Sequence, residues 1–128
     1  MSKLFDSEIV QKEMDEMTST YMDLMMKVPY FAVMDREQRK EVIDGLELLV
    51  DKQETLYSRA YLMNDEDSQL VKDNFKNAAK ELGVPEEMVG LPIFKKAREV
   101  LHDMRDNLDN LLWILYNIDN PTIQLIRL

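Results

Sequence analysis

At 128 residues with a formal net charge of −9, the chain is the size of one domain and carries an acidic field. Such a field repels phosphate backbones and makes direct nucleic-acid binding a poor reading. Cysteine is absent, which excludes disulfides, thiolate metal sites and thiol catalysis and fits an intracellular setting.

Asp6 and Ser7 are good N-cap residues, whose side-chain oxygens satisfy amides left unpaired in a first turn. They predict a first helix from about Ser7 to Lys27. Its apolar stripe is Val10, Met14, Met17, Tyr21, Leu24 and Val28. Pro29 stops that helix, because the residue before a proline avoids the helical region. Residues Pro29 to Met34 read as a short apolar linker. Asp35, with Gln38 three residues on, forms an aspartate version of the capping box. The second helix then extends to about Leu62, with the stripe Val42, Leu46, Leu49, Gln53, Leu56, Ala60 and Met63. Gln53 is a polar, register-fixing member of the stripe or a residue at its wet edge. Gly45, in mid-helix, costs about 1 kcal/mol and marks a close helix crossing.

Asn64 to Asp67 read as an acidic turn. A third helix follows from about Ser68 to Leu82, with Val71, Phe75, Ala78 and Leu82 inward and Gly83 as a left-handed stop. Pro85, Glu86 and Glu87 start one short helical turn that closes at Gly90. Pro92 opens a last long helix to about Asn117, with the stripe Ala97, Leu101, Met104, Leu108, Leu111, Leu115 and Ile118. Asn120-Pro121 ends it. Apolar steps of four and three keep one helix face on a partner helix. The expected fold is therefore all-α, a bundle of about four main helices with a short extra helical turn and an extended C-terminal tail. The helical domain is expected over 1–121 and the tail over 122–128.

Phe5-Asp6-Ser7-Glu8-Ile9-Val10-Gln11 and Asp35-Arg36-Glu37-Gln38-Arg39-Lys40 resemble the start and the second-helix opening of an uncharacterised family, domain of unknown function 1825. That family is shared by cyanobacteria and the phages that infect them. The resemblance covers about residues 4–63; the Met-rich first helix and the longer C-terminal part depart from it. It implies a cyanobacterial or cyanophage cytoplasmic protein and supplies no activity and no site residues.

Glu13-x-x-Glu16 and Glu41-x-x-Asp44 loosely resemble the acidic pairs of MazG-like all-α nucleotide pyrophosphohydrolases, which hold magnesium between helices. Carboxylates are the right ligand type for that ion. The doubled glutamate at the start of the first motif is missing, however. Glu41 and Asp44 also fall roughly 95° and 160° from the centre of their stripe, whereas metal-binding acids in a bundle point inward. They read as a solvated acidic flank. Glu99-x-x-His102 has the spacing used by di-iron carboxylate bundles. With one histidine in the chain, a monomer cannot complete such a centre, and both residues lie opposite the stripe. No glycine-rich phosphate loop exists. No catalytic, metal or cofactor residue is assigned.

The interaction content is apolar. Trp113 falls roughly 160° from the last stripe, and Ile114 and Tyr116 also lie off it. A helix apolar all round must be buried all round, by its own bundle or by another chain. The tail adds Ile123, Leu125, Ile126 and Leu128, alternating as in an edge strand that docks on a partner or swaps between protomers. In the first helix Met22, Met25 and Met26 widen the apolar surface, and Tyr30 and Phe31 extend it. Methionine adapts to irregular binding surfaces. The expected partner-binding residues are Met22, Met25, Met26, Tyr30, Phe31, Trp113, Tyr116, Ile123, Leu125 and Leu128.

The longest apolar run, Leu111 to Tyr116, is far short of the roughly 20 residues of a membrane span. Met1 to Asp6 has no apolar signal core. The functional expectation is a soluble cytoplasmic protein-protein interaction module without cofactor, a phage or cyanobacterial regulator that binds a host protein complex and can form a homodimer. A MazG-like magnesium-dependent hydrolase is the enzyme alternative, and a phage virion or assembly component the structural one.

Overall fold

The structure is a computed structural model that describes residues 3–118, 120, 123 and 124. The described residues form helices and 3-10 turns, with no strand among them. A 3-10 turn at Leu4–Asp6 precedes α1, Glu8–Lys27. Ser7 caps α1 by accepting a hydrogen bond from the amide of Val10. The expected linker is ordered as a 3-10 helix, Val28–Val33. The reciprocal Asp35–Gln38 capping box then starts α2, Arg36–Tyr61. Asp65 caps α3, Glu66–Glu81, two residues earlier than expected. Gly83, at φ 75°, takes the left-handed turn that ends it. One 3-10 turn, Glu86–Met88, leads to α4, Leu91–Asp106.

The expected last long helix is broken. α4 stops at Asp106 and a short α5, Leu111–Ile118, begins after Asn110. The side chains of Asn107 and Asn110 do local work there. The Asn107 amide donates to the carbonyl of Asp103 at 2.7 Å, and Asn110 Oδ1 accepts from the amide of Trp113 at 3.2 Å. Such side chains offer the backbone an alternative to helix continuation. Leu108 stays buried in the turn.

α2 is the central helix, with α1, α3 and α4 packed on it. The core is built from the predicted stripes: Leu24 of α1, Leu46 and Leu49 of α2, Ala97, Leu101 and Met104 of α4 are all buried. Phe94 closes one side with Tyr57 and Phe75, whose ring centroids lie 5.9 and 5.4 Å from its own. A second, smaller cluster of Leu4, Val10, Leu56 and Ala60 sits under the N-terminal turn.

Charge fixes which helix lies on which flank of α2. Toward α4, Arg105 Nη2 meets Asp44 at 2.6 Å and Glu47 at 2.8 Å. Seven residues earlier, Arg98 Nη2 meets Asp51 at 2.8 Å and Glu54 at 2.9 Å. The order runs in opposite senses on the two helices, so they are antiparallel. Toward α1 the signs reverse: Lys52 pairs with Glu16, and Arg59 with Glu13 at 3.2 Å. The acidic edge of α2 thus accepts the helix that carries arginines, and its basic edge the helix that carries glutamates. Exchanging the flanks would set like charges together, which opposes the wrong packing.

Candidate functional site

The C-terminal end of α1 and the 3-10 helix after it carry a run of exposed apolar side chains. Met22 is 61% exposed, Met26 75%, Tyr30 64% and Val33 81%. Met22 and Met26 are one α-helical turn apart and share a face. Side chains three residues apart eclipse in a 3-10 helix. This puts Tyr30 and Val33 together on the outer face, and Val28, Phe31 and Met34 together on the inner one. Phe31 is accordingly buried at 1% exposure, and Val28 and Met34 pack against the core. Phe31 therefore does not belong to the exposed patch as expected. Met25 is half-buried against the core and lies at most at its edge. Val33, which sequence reasoning missed, belongs there instead. Its signal is the three-residue step from Tyr30, which has meaning only where the segment is a 3-10 helix and not a linker.

This 3-10 helix is held firmly. Arg39 of α2 donates to the carbonyls of Phe31 at 3.3 Å and Ala32 at 3.2 Å, and also to that of Leu108 at 2.9 Å. Its guanidinium carbon lies 5.9 Å from the centroid of the Phe31 ring. One arginine thus ties the patch-bearing segment to the α4–α5 turn. Arg36 adds a second tie to that turn, pairing with Asp109 at 2.6 Å.

α5 offers a second exposed pair, Leu112 at 81% and Tyr116 at 80%. Tyr116 is exposed as the sequence suggested. Trp113 is not: it is half-buried and packs against the core, and Ile114 is fully buried. The break at Asn107–Asn110 resets the helix phase, so the angles counted from the α4 stripe no longer apply. Ile123 is also buried in the main core, and Ile123 and Gln124 are helical rather than strand-like. The packed domain therefore passes the expected boundary at 121. Leu125 and Leu128 lie outside the described residues.

The carboxylates considered for metal binding do not come together. Glu13 and Glu16 pair with Arg59 and Lys52, and Asp44 pairs with Arg105. These acids are engaged across helix boundaries, rather than standing as the solvated flank expected from the sequence. The Lys52 ammonium, by its hydrogen bond, holds the Glu16 carboxyl below its ordinary value. Glu41 is exposed. Among the described residues no three of histidine, cysteine, aspartate and glutamate gather as a metal ion would require. Glu99 and His102 are exposed on α4, and His102 lies 3.5 Å from Asp106.

The N-terminal turn makes the other distinctive polar site. Asp65 Oδ2 accepts from the amides of Leu4 at 2.9 Å and Ser68 at 3.2 Å, and Oδ1 accepts from the Ser68 hydroxyl at 2.6 Å. Asp67 accepts from the amide of Phe5 at 3.2 Å, and Lys3 pairs with Glu66 at 3.1 Å. These donors, the Leu4 amide first, hold the Asp65 carboxyl down to about 2.

The fold and surface define an all-α bundle with capped helices, a charge-coded order of packing and an apolar patch on a rigid segment. Residues 2–108 match the family described as Domain of unknown function (DUF1825), and the chain belongs to it. No curated protein and no solved structure matches the chain. No helix among the described residues is long and apolar enough to cross a membrane.

Proposed function

We propose that this protein is a non-catalytic protein-protein interaction module that recognises its partner through Met22, Met26, Tyr30 and Val33. The observation that carries this reading is the exposure of four large apolar side chains along twelve residues of ordered backbone. Large exposed apolar patches mark interaction sites. A backbone held by Arg39 loses little freedom on binding, which favours affinity. The net charge of −9 favours a basic partner surface, by steering its approach. Leu112 and Tyr116 form a second contact, for the partner or for a second copy of the chain. From the resemblance to cyanobacterial and cyanophage proteins, the partner is proposed to be a host protein complex and the role regulatory.

The engagement of Glu13, Glu16 and Asp44 in inter-helix ion pairs supports binding over magnesium-dependent hydrolysis. The test uses purified protein with nucleoside triphosphates and magnesium. No pyrophosphate release is expected. Release that Glu41→Gln and Asp44→Asn abolish would replace the binding module with a hydrolase.

A further inference from the structure

α1 and α3 both pack on α2 but have little contact with each other. The notch left between them is closed at one end by the chain's own residues 3–6. Leu4 is buried there against Val10, Leu56 and Ala60, with Phe5 and Val71 at the margin. The notch does not end at Leu4. On one side, toward the end of α2, a hollow of about 400 Å³ is lined by Lys3, Leu4, Val10, Arg59 and Met63. On the other, an open groove of about 250 Å³ continues past Leu56 and Val71 to Met17, Phe75 and Ala78. Residues 3–6 thus sit between two separate surface depressions.

The way they occupy it has the form of peptide recognition. A basic side chain, Lys3, reaches Glu66, with both groups largely exposed. The next two amides donate to Asp65 and Asp67, and the next two side chains, Leu4 and Phe5, enter or border the notch. Main-chain hydrogen bonds supply affinity in such sites, and pockets supply sequence preference. The grip is short, and its charged part is exposed to solvent, where an ion pair contributes little. A short element held by this few contacts opens locally without unfolding of the domain.

We propose that residues 3–6 are an exchangeable strap, and that the notch they fill is a docking site for a partner peptide with a basic residue followed by two large apolar residues. The peptide's amides replace those of Leu4 and Phe5 on Asp65 and Asp67, and its first apolar side chain takes the place of Leu4. This site stands at the opposite end of α1 from Met26 and Tyr30, so it does not depend on the patch there.

The test uses the full chain and a fluorescent peptide, acetyl-Ser-Lys-Leu-Phe-Asp-Ser-amide, followed by anisotropy. Leu4→Ala weakens the resident strap, so the variant is expected to bind the peptide at least about tenfold more tightly than wild type. Replacing the peptide's leucine with alanine, or its lysine with glutamate, is expected to remove most of that binding. Chemical-shift changes should centre on Val10, Leu56, Ala60 and Val71. Equal binding by wild type and variant, or shifts elsewhere, would overturn the proposal. Because Leu4→Ala can destabilise the fold, amide exchange in the wild-type protein gives a second reading. The Leu4 and Phe5 amides should exchange much faster than those of Leu46 and Leu101. Exchange of all four only with global unfolding would overturn a separable strap. A doubled mass that Leu4→Ala abolishes would also overturn it, assigning the notch to a second copy.

Discussion

Leu24 Cδ2 lies 2.9 Å from the point a Cβ on Gly45 would occupy, so α1 and α2 cross at a place where a side chain on α2 requires Leu24 to shift. Two effects oppose each other in Gly45→Ala. Alanine favours the helix by about 1 kcal/mol, whereas displacing a well-packed side chain typically costs about 1–3 kcal/mol. Leu24 is buried at 2% exposure, so the second effect should win. Gly45→Ala alone is expected to destabilise by about 1 kcal/mol in urea unfolding. In a Leu24→Ala background the same change should stabilise, because the obstruction is gone. The same sign in both backgrounds would mean that the crossing does not require glycine.

The ion pairs between α2 and α4 should act as a network rather than as isolated bridges. Arg98 and Arg105 each contact two carboxylates spaced three residues apart on α2. Their groups are only partly shielded, so each arginine should contribute no more than about 1 kcal/mol. Arg98→Gln and Arg105→Gln are each expected to lower the unfolding midpoint at low salt, with the loss reduced in 1 M sodium chloride by screening. A salt-independent loss would point to packing by the arginine stems instead.

Asp65 makes stability depend on acid. Its carboxyl sits at about 2 in the folded protein, against an ordinary value of 3.8. A depressed folded value favours the native state above the unfolded value, and that contribution is lost as pH falls through the folded one. The Asp65 contribution should therefore be fully present above about pH 4 and disappear between about pH 4 and pH 2. Asp65→Asn should be less stable than wild type at pH 7, with the gap closing over that window. A gap that stays constant to pH 2 would contradict the hydrogen-bond cause.

Trp113 and Tyr116 should separate stability from association. Trp113 packs against the core, whereas Tyr116 is largely exposed. Trp113→Ala is expected to lower stability by about 2 kcal/mol, less than the roughly 3–5 kcal/mol of a fully buried tryptophan because the side chain is only half-buried. Tyr116→Ala should leave the unfolding midpoint within about 0.5 kcal/mol of wild type and weaken any self-association seen by light scattering. Equal destabilisation by both would mean that Tyr116 is covered.

Much of this fold was readable before the structure, and the reasons are local. Ser7, Asp35 with Gln38, and Gly83 act at the positions where capping chemistry placed them. The close crossing at Gly45 was legible because a lone glycine in a strong helix needs a packing reason. The break at Asn107–Asn110 was not. Apolar residues continue in the sequence at helical spacing through Leu108 and Leu111, so periodicity alone reads straight across the turn. Only the cluster of short polar side chains marked it. The exposed apolar run is half legible: Met22, Met26 and Tyr30 stand out in the sequence and are exposed, but the sequence groups the buried Phe31 with them unless the segment is recognised as a 3-10 helix. The pairing of Glu13, Glu16 and Asp44 across helices was hidden too, since it depends on how the stripes meet.

Quantitative pull-down from a cyanobacterial lysate, with wild type and Met26→Glu side by side, bears most directly on the patch as the working surface. Met26 is 75% exposed, so the substitution should leave far-UV circular dichroism and the unfolding midpoint unchanged, while a protein enriched by wild type is lost. The same proteins retained at the same level by both forms would contradict recognition through this surface.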